Sequence, residues 1–138
     1  MATTATSSQT ATLAIKSGTT FVTIAQIETI TGPGTTVDLI DITNLDSTGG
    51  YKEFFGGLKD NDAVSFDLIW NAADTGTGYF VTANTNASKE NWKITFPFST
   101  PKTATFDGYA IKWAPKAAKG DVMRSSGEIK PTGVITWA

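Results

Sequence analysis

Any acid–base chemistry in this chain must rest on carboxylates and lysines, because the sequence contains neither histidine nor cysteine. Their absence removes imidazole bases, Ser–His–Asp triads, thiol nucleophiles, disulfides and thiolate zinc sites together. Asp38 and Asp41 lie in a strand-like run at an odd spacing, so their side chains point to opposite faces and cannot form one acid–base pair. Asp60 and Asp62 stand at i and i+2, a spacing that holds a hard cation only weakly, and read as solvated turn carboxylates. A glycosidase needs two acids facing each other across a cleft, and no pair here signals that arrangement. Lys112, Lys116 and Lys119 form the densest basic stretch and flank a Pro/Ala/Gly loop, which reads as a solvated surface rather than a phosphate site. Neither GxxxxGK[ST] nor GxGxxG occurs, and Gly76-Thr77-Gly78 lacks the third glycine of the dinucleotide fingerprint. No enzyme, no cofactor and no metal site is expected.

The remaining chemistry is that of surfaces. Four tryptophans could build a stacking platform for carbohydrate, but Trp70 and Trp92 follow apolar periodicity and read as core, with Trp113 and Trp137 left open. Eleven basic against thirteen acidic residues give a formal charge of −2, and no basic cluster suits tight nucleic-acid binding. At 138 residues the chain has the size of one ordinary domain, long enough to bury a core without covalent staples. No apolar run approaches the ~20 residues of a membrane span, and the first residues lack a signal-peptide pattern. The expected division is a flexible N-terminal arm over residues 1–10 and a single domain over 11–138.

Threonine is the commonest residue and aromatics are plentiful, which favours strands. Residues 12–16 and 21–30 read as strands around the turn Ser17-Gly18-Thr19, and Gly32-Pro33-Gly34 is a break. Residues 37–43 (VDLIDIT) form a further strand. Within 62–70, Val64, Phe66, Leu68 and Trp70 share one face, with Ala63, Ser65 and Asp67 on the other. Asp74 is placed to cap a short helix running to about residue 84, with Tyr79, Phe80 and Ala83 inward. Residues 92–98 alternate Trp92, Ile94, Phe96 and Phe98 against polar neighbours, ending at or near Pro97. Strands over 103–113, 121–130 and 134–137 complete the set, separated by turns at 115–120 and at Pro131-Thr132-Gly133. The fold class expected is mainly β: an antiparallel β-sandwich or partial barrel with one short flanking helix and one long loop.

That loop, residues 44–61 (NLDSTGGYKEFFGGLKDN), is too long for an ordinary hairpin connection and too aromatic for a linker. Tyr51, Phe54 and Phe55 are bracketed by Gly49-Gly50 and Gly56-Gly57. They either fold back as a lid or dock against another chain.

These segments, in their order, are similar to a known family. Gly32-Pro33-Gly34, Leu39-Ile40-Asp41-Ile42-Thr43, the run from Leu45 to Phe54, and Gly57-Leu58-Lys59-Asp60 resemble the major tail tube proteins of long, flexible-tailed, lambda-like bacteriophages. The likeness continues through residues 62–70, Ile94-Thr95-Phe96-Pro97, Phe106-Asp107-Gly108-Tyr109 and Gly133-Val134-Ile135-Thr136-Trp137. The resemblance implies a structural virion protein that stacks as hexameric rings into a tube, with the 44–61 loop reaching the next ring. It also implies tail-tip initiator, terminator and tape-measure proteins as partners, DNA passing through the lumen without tight binding, and a place in the virion tail after assembly in the host cytoplasm. No membrane partner is expected. Some relatives append an immunoglobulin-like C-terminal domain, and the sequence here stops at Ala138.

On that reading Ser65 and Asp67, on the polar face of their strand, face the lumen, joined by Asp38 or Asp41 from the preceding strand. Lys93 is expected to share that face and offset part of the charge. The rival readings are a monomeric β-sandwich binding carbohydrate or protein through a planar row of aromatics, and a carboxylate-dependent hydrolase.

Overall fold

A computed structural model describes residues 11–44 and 48–138. The expected N-terminal arm, residues 1–10, lies outside the described residues. Strands β1 (Thr12–Ser17) and β2 (Thr20–Ile24) pair across a tight turn at Gly18, whose φ of 63° suits glycine. The expected continuous strand over 21–30 is instead two. Gln26 takes a left-handed φ of 60°, and β3 (Ile27–Thr31) starts beyond this corner. β4 (Thr35–Asp41) and β5 (Phe54–Asn61) follow, then β6 (Val64–Ile69), the helix α1 (Thr75–Asn86), β7 (Lys89–Phe96), β8 (Lys102–Lys116) and β9 (Arg124–Trp137).

Seven strands make one antiparallel sheet in the order β2-β1-β7-β8-β9-β6-β3. Its two edges, β2 and β3, are consecutive in the chain and separated only by Ala25 and Gln26. The sheet therefore curls until its edges approach, without hydrogen-bonding closed. This is the mainly β, one-helix architecture that the alternating segments imply. β9 runs straight through Pro131-Thr132-Gly133, where a turn was expected. The register against β8 shifts between Thr105 and Asp107, so this stretch is absorbed as a bulge and the ladder resumes with Thr105 opposite Thr136.

Inside the curl lie Leu13, Ile15, Val64, Phe66, Leu68, Trp92, Ile94, Phe106 and Ile129, all buried. Phe80 descends from α1 into their midst. Its ring centroid lies 5.0 Å from Phe66, 5.6 Å from Trp92 and 5.6 Å from Trp113, in edge-on or tilted contacts. Gly127 leaves room for these rings, since a Cβ there would stand 2.6 Å from Phe66 and 2.9 Å from Phe80. Phe98, expected on the core face, lies exposed beyond the end of β7 because Pro97 stops the ladder.

α1 is held by its ends and its packing more than by its composition, which is rich in Thr, Asn and Gly. The Asp74 carboxylate accepts the Thr77 N–H at 2.9 Å and the Thr77 hydroxyl at 2.8 Å, as the capping pattern requires. It also accepts the Ala25 N–H at 3.2 Å, tying the helix start to the corner between β2 and β3. Gly76 lets that start press on β2: a Cβ there would meet the Thr23 carbonyl oxygen at 2.3 Å. Phe80 and Ala83 face inward as expected, but Tyr79 does not. It is 39% exposed, one helical step off the inner line that runs through Gly76, Phe80 and Ala83.

Candidate functional site

β4 and β5 pair only with each other, forming a two-stranded antiparallel ribbon apart from the main sheet. The expected long loop thus has a strand as its second half. Residues 54–61 return along 35–41, and residues 45–47 of the expected loop lie outside the described residues. The ladder extends one step past the strands, with the Ile42 N–H donating to the Glu53 carbonyl at 3.0 Å. Beside it the Glu53 N–H donates to the Thr43 hydroxyl at 2.7 Å. Hydrogen bonds from the Thr43 hydroxyl and its N–H hold the Asp41 carboxyl below the usual carboxylate range. At the root, the Thr35 hydroxyl donates to Asn61 Oδ1 at 2.9 Å, and Asn61 Nδ2 donates to the Gly133 carbonyl at 2.6 Å. Lys130 Nζ bonds the Asn61 carbonyl and sits 3.3 Å from Asp60 Oδ1.

The arm is apolar on both faces. Ile40 stands opposite Phe55, while Leu39 and Phe54 point the other way, since alternate residues of a strand face opposite sides. Neither face reaches the core. Leu58 is 84% exposed, Tyr51 77%, Phe55 61% and Phe54 51%, with Val37, Leu39, Ile40 and Ile42 also exposed. A lone two-stranded ribbon is marginal in water, and clustered exposed apolar residues of this kind mark an interaction surface. The three aromatics singled out from sequence therefore lie together near the free end of the arm, and they do not fold back as a lid. Val37, Leu39, Ile40, Ile42 and Leu58 were not singled out. The signal for them is that residues 37–43 are apolar on both faces, which fits a strand buried on both sides or one covered by another chain.

On the main sheet, Val64, Phe66 and Leu68 are buried, Asp67 is exposed, and Ser65 is partly so, as their alternation implies. Asp67 pairs with Ser126 of β9 and Thr29 of β3 on the solvent face of the curl. Asp38 and Asp41 do not join it, because β4 pairs with β5 and the neighbours of β6 are β3 and β9. Lys93 shares the solvent face but lies three strands away, where its ammonium sits 5.5 Å over the Phe21 ring. Closer to Asp67 are Glu28, Lys116 and Arg124, which border one shallow cavity with it. Arg124 is bonded there to Glu28 and, at 3.2 Å, to Asp121, whose carboxyl the Arg124 guanidinium and the Val122 N–H hold below its usual range. Lys112 stands opposite Glu128 rather than in a basic cluster with Lys116 and Lys119.

The four tryptophans are engaged within the fold. Trp92 is buried with its indole N–H on the Gly108 carbonyl at 3.1 Å, Trp70 packs edge-on against Trp113 at 5.8 Å, and Trp137 stacks on Phe96 at 6.0 Å. No group of three acidic residues converges as a metal cluster among the described residues. No described helix is long and apolar enough to cross a membrane.

Among solved structures, the fold is similar to a chain of the tail of an empty gene transfer agent particle with C6 symmetry. The TM-score is 0.80 at 16% identity, covering 97% of this chain and 99% of that one. It is also similar to a chain of the six-fold symmetrised anti-feeding prophage baseplate, with a TM-score of 0.77 at 15% identity over 100% of this chain and 97% of that one. The SPP1 tail tube gives a TM-score of 0.69 at 9% identity, covering 92% of this chain and 75% of that one. No curated protein matches in sequence. The model of the lambda phage tail tube protein family matches residues 4–138, nearly the whole chain. The chain therefore belongs to the lambda phage tail tube protein family, as a structural protein of the virion tail and not an enzyme.

Proposed function

We propose that the protein assembles as hexameric rings that stack into the tail tube, and that the tube conducts genome DNA toward the host. The observation that carries this is the arm, a ribbon apolar on both faces that none of the other described residues covers. Tyr51, Phe54 and Phe55 make the contact to the neighbouring ring. The exposed edges β2 and β3 invite lateral pairing, and a closed ring of identical copies turns that hazard into an interface.

The size is reasonable. If each of six copies lends about four strands to an inner barrel, tilted by ~40° at ~4.8 Å spacing, the backbone diameter is about 48 Å. Side chains then leave roughly 35–40 Å, wider than the ~20 Å of a DNA duplex. Ser65 and Asp67 lie on the lumen side, and the low basic content keeps DNA from sticking. The partners are the tail-tip initiator, the terminator and the tape-measure protein held in the lumen, with assembly in the host cytoplasm before incorporation into the virion.

The test is sedimentation and negative-stain imaging over a concentration series, with and without a tail-tip initiator. Rings and then tubes are expected. Persistent monomers under every condition would refute the proposal and favour a monomeric binding module.

A further inference from the structure

If the arm is the donor half of the stacking contact, a reading on which this inference rests, some surface of the next copy must be the acceptor. At the arm's own root lies a cavity of about 620 Å³ between β5, β8 and β9. Tyr109, Val134 and Trp137 border it, and all three are exposed, Val134 at 82%. A volume of this size lies within the ~300–1,000 Å³ range of clefts that enclose compact ligands. Of the exposed large apolar residues outside the arm, these three are the ones gathered around that concavity.

The chain cannot fill this cleft with its own arm end. Thr35 and Asn61 pair at the root while Asp41 pairs with Phe54 at the far end of the ladder, about 20 Å away at ~3.4 Å per residue. Folding back would break the ladder. The charges also suit a second copy. In sequence, residues 41–54 hold Asp41, Asp46 and Glu53 against Lys52, two net negative charges, while the cleft carries Lys59 and Lys130 against Asp60, one net positive. Lys130 is committed to Asp60, which leaves Lys59 to face an incoming acid.

We infer that the arm end of one copy, with Tyr51, Phe54 and Phe55, seats in the Tyr109–Val134–Trp137 cleft at the root of the next copy's arm. The two surfaces differ, so the contact is heterologous: each copy gives its arm in one direction and receives one from the other. Such a contact does not close on a pair; repeated by translation it propagates without limit. The Lys130 and Asn61 bonds at the root hold donor and acceptor in fixed relation, so seating one arm positions the next.

The chain's lack of cysteine makes a direct test clean. Tyr51→Cys and Val134→Cys proteins are mixed, assembled and treated with a short bis-maleimide, with Val122→Cys on a separate exposed loop as the comparison acceptor. A covalent dimer is expected from the Tyr51→Cys and Val134→Cys mixture and from neither variant alone. Tubes that form without this dimer, or that give it equally with Val122→Cys, overturn the cleft assignment while leaving stacking intact. A second variant guards against a mixture that does not assemble. Val134→Glu changes a surface residue and should keep its thermal unfolding and its rings while losing tubes, whereas an ordinary tube yield overturns the assignment. Wild-type protein run in parallel that never forms rings or tubes overturns the assembly reading itself, and the cleft with it.

Discussion

At the scale of single residues, Phe66 and Asp74 show two different ways of holding this fold. Phe66 lies in the buried aromatic cluster with Phe80 and close above Gly127, where its ring fills the space. Phe66→Ala should therefore cost about 3–5 kcal/mol of unfolding free energy, read by denaturant titration. Asp74 acts through hydrogen bonds. Burial pushes its carboxyl up, but the Thr77 N–H, the Thr77 hydroxyl and the Ala25 N–H outweigh burial and hold it below the usual carboxylate range. Its folded pKa thus lies below the unfolded value of about 3.9, so its contribution is complete above that value and is lost as pH falls through the folded one. Asp74→Ala should cost about 1–2 kcal/mol at neutral pH, and the difference from wild type should shrink in acid. A constant difference down to the lowest pH at which both proteins fold would show that the capping charge is not its source. Both residues were legible in sequence, Phe66 from period-two alternation and Asp74 from its place before the helix. Tyr79 was not, because a helix of low amphipathicity leaves its inner face ambiguous by one position, and Gly76 against Thr23 settles it only in three dimensions.

At the scale of elements, the main sheet and the arm obey different rules. The strands of the sheet alternate, and the sequence reveals them wherever one face is polar, as in β6. The arm's second strand, Phe54–Asn61, reads FFGGLKDN: two glycines and no alternation, which resembles a loop in any local view. It is a strand because β4 beside it supplies a register, a fact of pairing that no window of sequence contains. The division of 21–30 into β2 and β3 was hidden for the same reason. The corner is set by Gln26 in a left-handed conformation and by the Asp74 bond to Ala25, 49 positions along the chain. Because the arm's apolar end packs on no core residue among those described, truncating it should separate assembly from folding. Phe54→Ala and Phe55→Ala should leave monomer unfolding nearly unchanged while reducing tube yield, measured side by side with Phe66→Ala. Equal thermal destabilisation by all three substitutions would mean that the arm end contributes to the core.

At the scale of the whole molecule, the question is what the solvent face of the curled sheet meets once copies assemble. Asp67 lies on that face with Ser65, and Lys93, expected to dilute its charge, stands across the sheet near Phe21. The cations closer to it are Lys116 and Arg124, and Arg124 is already bonded to Glu28 and Asp121. If this face lines the bore, each ring repeats Asp67 around the lumen, and the repeated carboxylates act on DNA phosphates across a solvent-filled bore whose low-dielectric walls focus the field. Asp67→Lys reverses that charge at an exposed position whose backbone partners, Ser126 and Thr29, are neutral, so the strand should form and tubes should assemble. The reversed charge would instead attract phosphates along the whole length of the tail. Genome ejection from particles built with Asp67→Lys should then slow, most strongly at low salt, and recover as ionic strength shortens the Debye length below ~10 Å. Unchanged ejection kinetics at low salt, with the substitution verified in the particles, would place Asp67 on the outer wall of the tube. Slow ejection that salt does not relieve would point to a steric obstruction by the longer side chain rather than to its charge.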